Sequence, residues 1–127
     1  MAKKIFLIDD SQTMLMSLKG RLTLAGFEIS TAEDGMQALE KLNAGLKPDL
    51  IIADINMPNM DGIEFLRNAR ELVNCRFVPI LMLTVLNTAP EKRAEVKKIG
   101  ATGWLVKPIS DRDLIDMIKL VLPSSRL

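Results

Sequence analysis

The chain has 127 residues, of which 48% are hydrophobic and 26% are charged, so its length and composition are those of one ordinary globular domain. Its 17 lysine and arginine residues nearly balance its 16 aspartate and glutamate residues, which argues against a nucleic-acid-binding surface. Histidine is absent, which excludes the commonest general base and the commonest metal ligand. Any chemistry must therefore use carboxylates, hydroxyls and lysine.

The amino-terminal segment, MAKKIFLIDD, has only four consecutive apolar residues before two aspartates interrupt them. That run is too short for a signal peptide, and no later segment approaches the length of a membrane span. Cys75 is the only cysteine, so we expect a buried free thiol and no internal disulfide. These features predict a cytoplasmic protein that does not associate with membranes.

Four short apolar runs predict strands, at residues 5–8, 50–53, 80–83 and 104–106. They are continuous rather than alternating, which is typical of strands that are covered on both faces in a parallel sheet. A fifth and weaker strand, at residues 27–31, alternates between apolar and polar side chains. We expect that strand to lie at an edge of the sheet.

Helical patterns separate the strands. Gly26 and Gly45 are typical stop signals after the first two of them. The predicted helix starts, in chain order, are Ser11, Asp34, Asp61, Thr88 with Glu91 as a capping box, and Ser110. Five strand–helix units with right-handed crossovers predict an α/β fold, in which a doubly wound five-stranded parallel sheet carries helices on both faces.

Polar side chains follow four of the five predicted strands, and they are Asp9 with Asp10, Asp54, Thr84 and Lys107. Ligands of an open parallel sheet bind beyond the carboxyl ends of its strands, so these side chains are expected at one edge. Each residue alone has a plain structural explanation, because aspartate is common in turns and helix caps. Their convergence favours a functional site.

Three carboxylates at close range carry about three negative charges and require a counter-ion. Magnesium prefers hard oxygen ligands and commonly takes one or two carboxylates together with several waters. With Mg²⁺ and Lys107 present, the charges of the site sum to zero. A phosphoryl group on Asp54 would then meet the metal, Lys107 and the Thr84 hydroxyl, so the residues predict phosphoryl transfer to a carboxylate nucleophile.

At this point the chain resembles the response-regulator receiver family, the CheY-like domains, over essentially its whole length. The matching elements are Asp9-Asp10, Asp54, Asn56-Met57-Pro58, Met60-Asp61-Gly62, Thr84, and Gly100-Ala101 leading to Lys107-Pro108. The resemblance implies the flavodoxin-like strand order 2-1-3-4-5. It also implies a single receiver domain over residues 1–127, in which 123–127 form a tail or the start of a linker.

The resemblance implies a role for each residue that handles the phosphoryl group. Asp54 would accept it from a sensor histidine kinase or a small phosphodonor, Lys107 would contact it, and Thr84 would swing its hydroxyl onto it. The Lys107–Pro108 peptide bond is expected to be cis. Such a domain catalyses only its own phosphorylation and dephosphorylation, so it is not an enzyme in the ordinary sense.

The metal ligands also follow from the resemblance. Asp10, Asp54 and the backbone carbonyl of Asn56 would bind Mg²⁺ directly, and Asp9 would act through a water. No other cofactor is implied.

Trp104, three residues before Lys107, matches the switch aromatic of the family, although without the resemblance it would be taken as an ordinary core residue. The Gly103-Trp104 pair and Asn56 resemble the chemotaxis subgroup, as does the lack of an output domain in this sequence. Proteins of that subgroup diffuse as monomers from a receptor-linked kinase to a flagellar switch protein, and a phosphatase is a further expected partner. No nucleic-acid partner is implied.

The helix that begins near Thr88 has a basic face formed by Lys92, Arg93, Lys97 and Lys98. A solvated exterior is the simpler interpretation of that face. The resemblance nevertheless places the usual partner surface on this helix, the Trp104 strand and the last helix. Phosphorylation would bias a bistable element there.

Two residues depart from the family pattern. Val85 stands where a smaller alanine or glycine is usual, and Leu86 stands where a polar or acidic side chain would help to orient water. Our hypothesis is that both substitutions slow the spontaneous dephosphorylation of Asp54.

Three alternatives stay open at the level of sequence. A haloacid-dehalogenase-type phosphatase normally has a second aspartate two positions after its nucleophile, where this chain has Asn56. A flavodoxin shares the sheet order, but Asp9 and Asp10 would repel a flavin phosphate. The third alternative is a receiver domain cut from a larger transcription factor or enzyme.

Overall fold

The computed structural model describes residues 2–85 and 90–122. Strands alternate with helices along this part of the chain. The elements are β1 (Lys4–Ile8), α1 (Gln12–Leu24), β2 (Glu28–Ala32), α2 (Gly35–Asn43), β3 (Leu50–Asp54), α3 (Gly62–Glu71), β4 (Ile80–Val85), α4 (Pro90–Ile99), β5 (Gly103–Lys107) and α5 (Asp111–Val121). A 3-10 helix, Val73–Cys75, follows α3 and was not predicted from the sequence.

The strands form one parallel sheet in the order β2-β1-β3-β4-β5. The predicted fold class and strand order are therefore confirmed, and β2 lies at an edge as its alternating pattern indicated. Strand β3 is the middle strand, and every one of its residues is buried. Its carboxyl end, where Asp54 lies, is thus flanked by strand ends on both sides.

Both faces of the sheet are packed, which explains why the strands are continuously apolar. One core cluster combines Phe6 and Ile51 of the sheet with helices α2, α3 and α4, and it includes Phe65 of α3, which is fully buried. The other cluster combines Leu7 and Ile52 with helices α1 and α5. Successive residues of a strand alternate between the two clusters, as the geometry of a strand requires.

Four of the predicted caps are present. The side chains of the capping residues accept hydrogen bonds from backbone N–H groups three residues further on, at 2.8–3.2 Å, and these residues are Ser11, Asp34, Asp61 and Ser110. Gly26 and Gly45 follow the ends of α1 and α2 with positive φ angles of 100° and 112°. The remaining predicted cap, Thr88, lies outside the described residues, as do Leu86 and the tail 123–127.

Arg70 ties the end of α3 to the end of α4. Its guanidinium donates to the carbonyl of Gly100 at 2.8 and 3.1 Å, and to the carbonyls of Cys75 and Val78 at 2.7 Å each. Burial lowers the pKa of Arg70. These bonds fix the carboxyl end of α4 against the amino end of the sheet. Within 2–85 and 90–122, none of the helices combines the length and apolar character that a membrane crossing requires.

Candidate functional site

The predicted polar residues converge at the carboxyl edge of the sheet. Asp9, Asp54 and Thr84 are buried polar residues at the ends of β1, β3 and β4. Parallel pairing aligns these ends, because Ile8 lies opposite Ala53 and Asp54 lies opposite Leu83. Topology therefore brings together residues that are far apart in the sequence.

Lys107 joins two of these aspartates. Its Nζ atom lies 3.1 Å from Oδ2 of Asp9 and 3.0 Å from Oδ2 of Asp54. The lysine side chain is only 20% exposed, and the two carboxylates are exposed by 2% and 8%. One ammonium group thus serves two buried carboxylates.

The pKa values follow from this arrangement. Burial raises the pKa of Asp54, the hydrogen bond and charge of Lys107 oppose that rise, and the charge of Asp9 adds to it. Burial lowers the pKa of Lys107, but its hydrogen bonds to Asp54 and Asp9, together with their charges, outweigh burial and raise the pKa overall. Lys107 therefore stays cationic at neutral pH.

The acidic cluster consists of Asp9, Asp10 and Asp54, which each offer an oxygen within 4.8 Å of the others. Asp10, unlike the other two, is exposed. Three carboxylates and Lys107 leave two negative charges to be neutralised, and oxygen donors are the set that Mg²⁺ prefers. The residues therefore fit a divalent cation in both charge and donor type.

Asn56 lies at the rim of this cluster. Its side chain is exposed, and its backbone N–H donates to Oδ1 of Asp54 at 3.2 Å. That bond fixes one oxygen of the carboxylate while Lys107 holds the other. The use of the Asn56 carbonyl as a metal ligand stays a prediction.

The backbone holds Asp9 in a way that the sequence analysis missed. The N–H of Ser11 donates to Oδ1 of Asp9 at 3.0 Å, and the N–H of Asp9 donates to the carbonyl of Ala32 at 3.1 Å. Ser11 is thus both the helix cap and a support for the first carboxylate. An aspartate two residues before a capping serine was the available signal.

Gly62, at the start of α3, lies against the backbone of Asp54 and Ile55 at the end of β3. Its N–H donates to the carbonyl of Ile55 at 2.7 Å. A Cβ atom at this position would lie 2.2 Å from the backbone oxygen of Asp54 and 2.6 Å from Cα of Ile55. Only glycine allows the start of α3 to approach the end of β3 this closely. The sequence analysis noted Gly62 only as part of a family motif and missed this contact.

Thr84 is buried, and its hydroxyl donates to the carbonyl of Leu105 at 3.5 Å. Register places Thr84 opposite Val106 and Met82 opposite Trp104, so Thr84 and Trp104 are diagonal neighbours on adjacent strands. The Lys107–Pro108 bond is cis, as expected. Each predicted residue at a strand end is therefore found at the carboxyl edge of the sheet.

Trp104 is half-buried and packs against the core cluster under helices α2, α3 and α4. The guanidinium of Arg93 lies over its indole ring, with Cζ 5.7 Å from the ring centroid. Such a contact stabilises by about 0.5–1 kcal/mol at an exposed site. Arg93 was expected to belong to a solvated basic face, whereas the structure places it against an aromatic ring.

The Nε atom of Arg93 is buried and has no hydrogen-bond partner among residues 2–85 and 90–122. A buried donor without a partner costs about 1–3 kcal/mol, which exceeds the gain from the aromatic contact. The other basic residues of this helix face are exposed, and they are Lys92, Lys97 and Lys98. Of the four basic residues on this predicted face, Arg93 is therefore the one with a buried N–H donor that lacks a hydrogen-bond acceptor.

A sequence model described as "Response regulator receiver domain" matches residues 5–119. The chain is a response-regulator receiver domain. This membership confirms the resemblance and rules out the phosphatase and flavodoxin alternatives. Receiver domains are signalling domains of two-component systems rather than classical enzymes.

Two curated relatives show the range of proteins that contain such receiver domains. The receiver domain is 38% identical over 122 residues to a CpxR homologue, a transcriptional regulatory protein of Haemophilus influenzae, which covers 96% of the chain and 51% of the relative. It is 32% identical over 120 residues to the chemotaxis protein CheY1 of Helicobacter pylori, covering 94% of the chain and 96% of the relative. The chain therefore spans about half the length of the transcriptional regulators it matches.

Solved structures agree with the fold. The chemotaxis protein CheY4 of Vibrio cholerae superimposes with a TM-score of 0.90 at 43% identity, covering 96% of this receiver domain and 100% of that chain. The receiver domain of a sensor histidine kinase from Pseudomonas aeruginosa superimposes with a TM-score of 0.87 at 25% identity and covers 97% and 99% of the two chains. That second structure has a magnesium ion coordinated in its active-site cleft.

Proposed function

We propose that this receiver domain accepts a phosphoryl group from a sensor histidine kinase on Asp54, in a Mg²⁺-dependent reaction that switches a protein-binding surface. One observation carries the proposal: a buried aspartate ends the middle strand, is bonded to Lys107, and lies among two further aspartates. A carboxylate in this setting is held in place and has a cation at hand for the incoming charge.

The transfer requires one bond to form and one to break. A carboxylate oxygen of Asp54 attacks the phosphorus, the P–N bond of the phosphohistidine breaks, and the imidazole of the kinase leaves. Lys107 lies 3.0 Å from the carboxylate, so its ammonium is placed to meet the phosphoryl oxygens. Asp10, Asp54 and the Asn56 carbonyl would hold Mg²⁺, with Asp9 acting through a water. A bound Mg²⁺ would supply positive charge beside the phosphoryl oxygens.

The switch follows from the position of Thr84. Its hydroxyl has a long 3.5 Å bond to the Leu105 carbonyl, which a phosphoryl oxygen at Asp54 would replace with a charge-assisted bond. Thr84 and Trp104 are diagonal neighbours, so a movement of Thr84 changes the packing beside Trp104. The new position of the indole would then alter the shape of the surface formed by α4, β5 and α5.

Within this function, chemotaxis signalling is the pathway we propose. Its support is the 43% identity to a chemotaxis protein whose whole chain is covered, and the near-complete coverage of a second chemotaxis relative. The receiver domain would stand alone over residues 1–127, take its phosphoryl group from a receptor-linked kinase and bind a flagellar switch protein. A separate phosphatase would shorten the signal.

A second candidate is the receiver part of a longer transcriptional regulator. Its support is the 38% identity to a CpxR homologue, of which the chain covers only half. The length of the complete gene distinguishes the two candidates, because only the second requires a longer protein.

Trp104 provides the test, because it is the only tryptophan and the chain has no tyrosine. Beryllofluoride, a phosphate mimic, added with Mg²⁺ should change the emission of Trp104. Asp54→Asn should abolish that change, whereas Glu40→Gln, a change of an exposed acid on α2, should preserve it. An unchanged response in Asp54→Asn would contradict the proposal.

A further inference from the structure

Strand β2 lies at an edge of the sheet, so one of its two sides has no neighbouring strand within the described part of the chain. A groove of about 330 Å³ lies at this open edge. Helix α1 forms one wall of the groove, with Met16 and Lys19, and helix α2 forms the other wall, with Lys41. Thr31 of β2 lies between the two walls. The groove therefore has the free side of a strand along its floor.

The backbone groups that face the groove follow from the pairing of β2 with β1. The N–H of Asp9 donates to the carbonyl of Ala32 at 3.1 Å, and Glu28 donates its own N–H to the carbonyl just before β1 at 2.9 Å. In a parallel ladder, successive residues direct their N–H and C=O groups to opposite sides of the strand. The even-numbered residues of β2 therefore face β1, and Ile29 and Thr31 direct their backbone groups outward.

Three of the four outward backbone groups are free. The carbonyl of Thr31 accepts a hydrogen bond from Nζ of Lys41. The N–H and C=O of Ile29 and the N–H of Thr31 have no hydrogen-bond partner among residues 2–85 and 90–122. A lysine at a sheet edge is a common protection against pairing with other strands. Here the lysine protects one carbonyl and leaves the rest of the edge open to a ligand.

The walls of the groove carry more positive than negative charge. Lys19 and Lys41 line it from opposite sides. The acid among the lining residues, Glu33, already accepts a hydrogen bond from the side chain of Gln12. Met16 is 72% exposed and gives the α1 wall an apolar surface. The groove thus combines free backbone hydrogen-bonding groups, two cations and one apolar wall.

We propose that this groove binds an extended acidic segment of another protein, which adds to the sheet as a sixth, parallel strand beside β2. One residue of the segment lies opposite Ser30, donates its N–H to the carbonyl of Ile29 and accepts from the N–H of Thr31. Side chains at the position of Ser30 face α2 and their neighbours face α1, as the two core clusters show. A carboxylate on that residue therefore meets Lys41, and apolar side chains on its two neighbours contact Met16.

The charges favour such a segment over a second copy of this chain. Pairing of two β2 edges about a two-fold axis brings the Lys41 side chains of both copies to the same short stretch of edge. Like charges there oppose the pairing, whereas a carboxylate is attracted. The inference goes beyond the proposed function, because none of the residues that carry it belongs to the acidic cluster around Asp54.

The experiment is a titration of the full chain with three synthetic peptides that alternate valine and glutamate, each capped at both ends and labelled with fluorescein. The first is unmodified, the second has N-methyl groups on its glutamates, and the third has them on its valines. In the proposed pairing the glutamate N–H groups face β2 and the valine N–H groups face away. At an ionic strength of about 0.15 M, we expect the first and third peptides to bind alike. The second should bind at least about tenfold more weakly.

Amide hydrogen exchange identifies the part of the chain that the unmodified peptide contacts. At a saturating concentration, exchange of the N–H groups of Ile29 and Thr31 should slow at least about tenfold. The N–H of Ser30 already faces β1, so its exchange should change much less. This alternation along β2 is specific to strand addition and is not expected from a peptide that lies only on α1 or α2.

The variants separate the groove from general attraction to cations. Lys41→Gln should weaken binding of the unmodified peptide about threefold to fivefold, whereas Lys119→Gln, a change of an exposed cation on α5, should weaken it less than about twofold. Thr31→Pro removes an outward N–H without removing a bond to β1, and should weaken binding about tenfold. Unfolding temperatures verify that each variant is folded.

Four results would overturn the inference. Equal losses in Lys41→Gln and Lys119→Gln would show diffuse attraction, and equal binding of the two N-methylated peptides would show that the backbone of the strand is not used. Absence of binding, or slowed exchange only outside β2, would show that the groove takes no such segment. Self-association of the peptide-free chain that protects Ile29 and Thr31 would assign the edge to a second copy.

Discussion

The ammonium group of Lys107 lies 3.0 Å from a carboxylate oxygen of Asp54 and 3.1 Å from one of Asp9. The lysine, at the end of β5, therefore links that strand to the carboxyl ends of β1 and β3. In the absence of a metal its charge directly opposes those of the two buried carboxylates. The ammonium group is therefore already in place when a phosphoryl group adds further negative charge.

Replacement of Lys107 should destabilise the metal-free protein. Lys107→Gln leaves two buried carboxylates without their cation. We expect the free energy of unfolding to fall by about 2–3 kcal/mol in EDTA. This loss is smaller than the roughly 3–5 kcal/mol expected for a fully buried ion pair, because Lys107 keeps some contact with water. Urea unfolding measures this. Arg112→Gln, which removes only a long exposed contact to Asp116, should change it by less than about 0.5 kcal/mol. A Lys107 variant as stable as the parent would show that the bridge contributes little.

The close approach at Gly62 gives a second prediction. In Gly62→Ala the added Cβ overlaps the backbone of Asp54 and Ile55, so the end of β3 must move. We expect a loss of about 2–3 kcal/mol in stability and a loss of phosphorylation at Asp54.

Gly20 provides the matched control for Gly62. It lies inside α1 with nothing within 4 Å of its absent Cβ, so Gly20→Ala should stabilise by about 0.5–1 kcal/mol. Thermal unfolding and phosphorylation of the two variants provide the comparison. Equal effects of the two substitutions would mean that the approach of α3 to Asp54 does not matter.

Val85 provides a test of signal duration. It ends β4 opposite Lys107, and the residue is 42% exposed. Because a branched side chain there limits the approach of water, Val85→Ala should shorten the lifetime of phosphorylated Asp54 severalfold. Leu86→Glu should also shorten it, by helping to orient water. Loss of radiolabelled phosphate over time measures both, and lifetimes equal to or longer than that of the parent would refute the hypothesis.

Cys75 gives a pH-dependent prediction. Burial raises the pKa of its thiol above the usual 9.0, against the opposing charge of Arg70. Between 9.0 and the raised value the unfolded chain loses this proton while the folded chain keeps it, so stability is fully present below pH 9.0 and is lost as pH rises through the folded pKa.

Cys75→Ala lacks this titration and should be the control. Its stability at neutral pH is lower because a buried side chain is truncated, but it should decline less steeply between pH 9.0 and about pH 10. Urea unfolding across that range compares the two proteins. Parallel declines would exclude the buried thiol as the cause.

The sequence predicted what depends on local pattern and on topology. Continuous apolar runs identified four strands and an alternating run identified the fifth. Ser11 and Asp61 were recognised as caps, and the strand ends located Asp54 and Lys107 at one edge. Each of these signals is contained within a few neighbouring residues, or follows from the parallel order of the strands. They were sufficient to propose a site.

The sequence did not predict the contacts that depend on exact placement in space. Lys107 and Asp9 are 98 positions apart, so their bond depends on the assembled sheet. Arg93 was predicted to belong to a charged helix face, because periodicity does not show that an indole of β5 lies beneath it. The approach of Gly62 to Asp54 likewise arises from the angle at which α3 meets the sheet.

The most direct test of phosphoryl transfer to Asp54 is to locate the modified residue. The chain is incubated with acetyl phosphate and Mg²⁺, and the acyl phosphate is located by mass spectrometry after borohydride reduction. We expect one phosphoryl group per chain, on Asp54, that requires Mg²⁺ and is absent in Asp54→Asn. Modification at another residue, or equal incorporation in Asp54→Asn, would contradict the account.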